Sequence, residues 1–88
     1  MIMKKFVYFY LMKNAPEKIP ESVPAHIDYW HGLSLPNFQG GPFADHSGGL
    51  IIFDAEDLEQ ANSISVKDPF VINDLLETKW VKQWGLKG

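Results

Sequence analysis

The segment KFVYFYLMK, residues 5–13, is apolar on both sides of any strand it forms. Successive side chains of extended backbone alternate, so Phe6, Tyr8, Tyr10 and Met12 take one face and Val7, Phe9 and Leu11 the other. The run GGLIIFDA, residues 48–55, has the same property, with Ile51 and Phe53 opposed to Leu50 and Ile52. A sheet built on two such strands needs cover on both faces. One layer of helices covers one of them. A chain of 88 residues buries roughly 60–65% of its unfolded surface, which leaves too little material for a second layer. The other face calls for a second subunit.

The remaining segments supply the helices and the outer strands. NAPEKIPESVP carries three prolines and marks a connection. SVPAHIDYWHGL, residues 22–33, predicts a helix with Ser22 as cap and Pro24 tolerated in the first turn. At 100° per residue, Val23, His26, Ile27, Trp30 and Leu33 share one face of it. PNFQGGPF is a weaker strand, and with GGLIIFDA it forms a hairpin around GGPFADHSGG. Asp57 caps a second helix, Gln60 completes a capping-box pattern, and Leu58, Ala61 and Ile64 or Ser65 form its stripe. Pro69 ends that helix, and Asp68 with Pro69 opens a further short one. TKWVKQWG closes the chain as a strand with Trp80 and Trp84 on one face. The order strand, helix, strand, strand, helix, strand predicts a single α+β domain over residues 1–88. Its architecture is ferredoxin-like βαββαβ, an antiparallel sheet with helices on one face, paired as a dimeric α/β barrel.

Charge and composition exclude several functions. Eight basic and eleven acidic residues give a net charge of −3, and the lysines are scattered, so nucleic acid is not an expected partner. Without cysteine the chain has neither disulfides nor thiolate chemistry, and the expected location is cytoplasmic. Lys4 and Lys5 precede an apolar run, but Phe6 to Met12 is too short for a membrane span and lacks a cleavage site for a signal peptide. His26 and His31 diverge by about 140° on a helix, so no metal site is expected from them.

The residues that carry chemistry are His26 and the hairpin acid Asp45. An imidazole on an apolar helix face needs partners for its ring nitrogens. A carboxylate on one nitrogen leaves the other as a base and stabilises the imidazolium that forms. Two readings stand for each residue: His26 as base or as a satisfied core histidine, Asp45 as its partner or as the residue that sets its own turn. Asp45, His46 and Ser47 are adjacent in an extended turn and point apart, so they are not a triad. Tyr8, Tyr10, Trp30 and Phe43 are candidates either for an aromatic cleft that takes a flat organic ligand or for the core, and Phe70 for its closure or for a helix break.

The motifs AHIDYW, GGPFADHSGG and DPFVINDLL, together with FVYFYLMK, resemble the YCII-related (YciI-like) family of the dimeric α/β-barrel superfamily along nearly the whole chain. The resemblance implies face-to-face dimers and a histidine–aspartate dyad, which by position falls on His26 and Asp45. It implies a small-molecule enzyme of proton abstraction, isomerisation or elimination, without cofactor, in a homodimer or higher oligomer. A non-catalytic dimer that binds a small ligand, and a cofactor-free monooxygenase of an aromatic substrate, are the alternatives.

Overall fold

The computed structural model describes residues 2–88. β1 (Lys4–Met12) is followed by α1 (Ile19–Gly32), β2 (Gln39–Pro42), β3 (Gly48–Ala55), α2 (Leu58–Ser65), α3 (Pro69–Ile72) and β4 (Leu76–Gln83). The four strands form one antiparallel sheet in the order β2-β3-β1-β4. This is the expected ferredoxin-like α+β arrangement, with the doubly apolar strands β1 and β3 side by side in its centre. No helix among the described residues is long and apolar enough to cross a membrane.

The two faces of the sheet differ in what covers them. Phe6, Tyr8, Tyr10, Ile51, Phe53 and Ala55 lie under the helices, each 3% exposed or less. Trp30 of α1, Ala61 of α2 and Phe70 of α3 close this core from above. On the reverse face Val7, Phe9, Leu11, Leu50 and Ile52 remain half-buried. Phe9 stacks on Trp80 with centroids 4.8 Å apart, and Phe43 leans on it at 5.8 Å. An apolar layer of this kind is therefore in place on the uncovered side.

The caps form largely where the sequence places them. Asp57 accepts from the Gln60 amide at 2.8 Å, while the Gln60 side chain accepts from the Glu56 amide at 2.7 Å rather than from Asp57. Asp68 accepts from the Phe70 amide ahead of α3. α1 departs from expectation. It begins at Ile19 with Pro20 in its first turn, so Ser22 is an inward residue of the helix and not its cap. Ser22 Oγ accepts from the Asn73 side-chain Nδ2 at 3.0 Å. The inward face is Ser22, His26 and Trp30, and Ile27, expected there, is 44% exposed. Trp84 falls just beyond the end of β4.

The glycine pair that opens β3 is required by close approach. Gly48 and Gly49 pair with Leu11 and Tyr10 of β1. A Cβ on Gly48 would run into the Tyr10 carbonyl, with the Leu11 Cα at 2.9 Å, and one on Gly49 would lie 2.6 Å from Tyr10 Cζ. The backbone contact cannot relax by a rotamer change. Gly48→Ala is expected to destabilise the protein by about 2–3 kcal/mol, read as a lower denaturant midpoint. An unchanged midpoint would contradict this account.

Candidate functional site

Asp68 has no exposed surface, yet four donors converge on it. Its Oδ1 accepts from His26 Nδ1 at 2.7 Å and from the Phe70 amide at 2.9 Å. Its Oδ2 accepts from the Tyr8 hydroxyl and from Trp30 Nε1, both at 3.1 Å. A carboxylate only accepts, so Nδ1 is the donor of the short contact with Asp68 and Nε2 is the nitrogen turned away from it. The imidazole lies flat on the Phe70 ring, with centroids 4.0 Å apart and planes within 10°, and meets the edge of Tyr10. The Tyr10 hydroxyl stands 3.5 Å from Nε2.

This corrects the expected pairing of His26 with Asp45. Asp45 is exposed in the β2–β3 turn, where its carboxylate accepts from the Ser47 amide at 3.0 Å. Hydrogen bonding from Ser47, by side chain and backbone, holds its carboxyl below the usual carboxylate range. The turn consumes the acid that was expected to reach the helix. Asp68 takes its place because the break between α2 and α3 puts a capping side chain under α1 (Asp68 follows Ser65, whose carbonyl its amide meets at 3.1 Å). Its sequence signal was present in the cap ahead of Pro69, legible as a helix start only.

The aromatic candidates divide. Tyr8, Tyr10, Trp30 and Phe70 are buried around the His26–Asp68 pair. Phe43 lies on the other side of the sheet against Phe9. Burial, then the charge and hydrogen bond of Asp68, push the Tyr8 phenol far above its ordinary value. Burial and then the charge of Asp68 push Tyr10 up to about 12. Both remain protonated hydroxyls across the neutral range.

A cleft of about 750 Å³ opens beside this cluster. Its walls are the end of β1 at Met12 and Lys13, the first turns of α1 at Ile19 and Val23, and the hairpin tip at His46 and Ser47. His46 holds a left-handed backbone with φ 63°. The lining is mostly apolar with a polar rim, the usual character of a small-molecule site. Val23 stands one turn before His26, and Met12 two residues beyond Tyr10 on the same face of β1.

The arrangement around Asp68 predicts the effect of Asp68→Asn. Each oxygen faces one donor that cannot reverse its role, the Phe70 amide on Oδ1 and Trp30 Nε1 on Oδ2. An amide group leaves one of them opposed by N–H in either orientation. The variant is expected to lose about 3 kcal/mol of unfolding free energy. Wild-type stability in denaturant titration would contradict the four-donor assignment.

Comparison with known proteins gives the family and the fold. The YCII-related domain matches residues 3–85. The uncharacterized protein YjpA of Bacillus subtilis (strain 168) is 31% identical over 86 residues, which span 93% of this chain and 98% of that protein. Among solved structures, the fold is similar to that of 5-chloro-2-hydroxyhydroquinone dehydrochlorinase TftG from Burkholderia phenoliruptrix AC1100 in complex with 2,5-dihydroxybenzoquinone. The TM-score is 0.78 at 22% identity, over 91% of this chain and 92% of that one. With nearly its full length matched, the chain belongs to the YCII-related family.

Proposed function

We propose that the protein is a small-molecule enzyme of general acid–base chemistry, with His26 as base and acid and Asp68 as its partner. The observation that carries this reading is the buried His26–Asp68 contact beside a ligand-sized cleft. A carboxylate on Nδ1 fixes the tautomer and stabilises the imidazolium that follows proton uptake at Nε2. The reaction class is proton abstraction next to a carbonyl, completed by isomerisation or by elimination of a leaving group. The substrate class is a small, flat cyclic or aromatic compound, for which the ligand and substrate of TftG are the natural probes. Asp45 sets the hairpin turn in this scheme, and Tyr8, Trp30 and Phe70 hold the pair in place. A cytoplasmic setting belongs to the same reading.

One observation favours a second reading, in which the pair is a structural clamp and the protein binds a ligand without turning it over. Neither His26 nor Asp68 lines the cleft. The two readings separate in one experiment. 2,5-Dihydroxybenzoquinone is titrated by tryptophan fluorescence, and chloride release from 5-chloro-2-hydroxyhydroquinone is followed without oxygen. Saturable binding is expected, with chloride release that falls at least about 100-fold in His26→Gln. Undiminished release by His26→Gln overturns the assignment of the base. Saturable binding with no release by the wild type supports the clamp, and a requirement for oxygen supports the monooxygenase.

The same reading includes a homodimer that stacks the two uncovered sheet faces. Val7, Phe9, Leu50, Ile52 and Trp80 form a continuous apolar layer there, which isolated monomers rarely leave in water. Sedimentation at micromolar concentration is expected to give twice the chain mass of 10.0 kDa. A stable monomer would overturn the pairing, and a larger mass would add a further interface to it.

A further inference from the structure

Neither His26 nor Asp68 lines the cleft, but Tyr10, which meets His26, lies on β1 two residues before Met12 of the cleft wall. His26 is 9% exposed and turns Nε2 toward the Tyr10 hydroxyl, 3.5 Å away. Tyr10 itself is 3% exposed. Its phenol lies across Gly49, where any Cβ would collide with the hydroxyl and with Cζ. The hydroxyl thus rests on bare hairpin backbone. Two residues earlier on that hairpin is Ser47, which lines the cleft, and two residues later on β1 is Met12, which lines it too. Met12 and Ser47 are joined by a backbone hydrogen bond of 2.8 Å. The Tyr10 oxygen thus meets His26 Nε2 on one side, and Tyr10 and the glycine beneath its ring each stand two positions from a residue of the cleft wall, of which Tyr10 itself is not part.

A phenol has the hydrogen-bonding capacity that this place requires, since its oxygen accepts one proton while it donates another. We propose that Tyr10 is the proton relay through which His26 acts on a ligand in the cleft; the proposal rests on the general-base reading given above. The substrate C–H proton passes to the Tyr10 oxygen as the hydroxyl proton of Tyr10 passes to His26 Nε2. The electron pair of the broken C–H bond forms the new double bond as the leaving group departs with its own bonding pair; in an isomerisation the pair shifts the double bond instead, and Tyr10, reprotonated by the His26 imidazolium, delivers the proton to another carbon. Tyr10 ends neutral, and the positive charge rests on an imidazolium paired with the Asp68 carboxylate. No free phenolate arises, in keeping with a hydroxyl whose pKa burial pushes up to about 12.

Tyr10→Phe tests the relay, since it keeps the ring over Gly49 and removes only the oxygen. Side-chain nitrogen NMR of the unliganded protein is expected to show His26 Nε2 shifted in the variant while Nδ1, held by Asp68, stays in place. Turnover of 5-chloro-2-hydroxyhydroquinone is expected to fall about 100-fold or more, with the affinity for 2,5-dihydroxybenzoquinone within about threefold of wild type. A purely structural role for Tyr10 predicts no such split, because phenylalanine packs the same core. An Nε2 resonance that ignores the substitution overturns the relay whatever the activity of the wild type on this probe. Full turnover by Tyr10→Phe with none by His26→Gln overturns the relay alone, and full turnover by both overturns the base as well. Should Tyr10→Phe fold poorly, Gly49→Ala displaces the same hydroxyl by steric contact, its Cβ also meeting the Gly41 carbonyl at 2.8 Å. Its expected signature is the same loss of turnover with ligand affinity retained, and normal turnover by a folded Gly49→Ala protein overturns the proposal.

Discussion

A carboxylate with no exposure to water is the constraint on which the helical side of this protein depends. Stripped of hydration and left alone, Asp68 would be among the most costly groups a small core could hold. It is tolerated because Tyr8 of β1, His26 and Trp30 of α1 and the Phe70 amide of α3 all donate to it. Three separate elements are tied to one another through its two oxygens. Among the described residues no buried side-chain nitrogen or oxygen is left without a partner. The network that makes the fold acceptable is also the one that orients the histidine, so on the proposed reading the same bonds stabilise the fold and position the base.

The sheet divides the molecule into two different environments. On the helical side, aromatic rings surround the His26–Asp68 pair and restrict Tyr8 and Tyr10 to their neutral forms. On the reverse side, Phe9, Trp80 and Phe43 build an aromatic layer that contains no such polar centre. The alternation of β1 puts these two environments one residue apart along the chain. A one-residue slip of that strand would exchange them, and the pairing of Tyr10 with Gly49 opposes the slip, since only a glycine fits beneath that ring.

The fold was legible because its signals are local. Alternating apolar residues mark β1 and β3, and the caps at Asp57 and Asp68 mark two helix starts within a few positions of the residues they bind. The phase of α1 was harder, since the three prolines between Pro16 and Pro24 suit either a connection or a first turn, and the helix uses the second of them. The site was half legible. His26 is visible as a histidine among apolar neighbours, whereas its partner lies 42 positions away and meets it only through tertiary packing. Asp45 was the more conspicuous acid because glycines flank it, but short side chains in turns bind their own backbone first.

The β2–β3 hairpin contains two kinds of position within six residues. His46 and Ser47 at the tip are exposed and face the cleft, whereas Gly48 and Gly49 are buried and admit no side chain at all. Substitutions at the tip reshape what the cleft receives and leave the Tyr10 oxygen where it is. A side chain at Gly49 displaces that oxygen whatever ligand is present. On the proposed reading, ligand contact and proton transfer fall to adjacent stretches of chain. On that reading, a lineage carrying this hairpin can change what the cleft receives through His46 and Ser47 while Gly49 and the ring above it stay fixed.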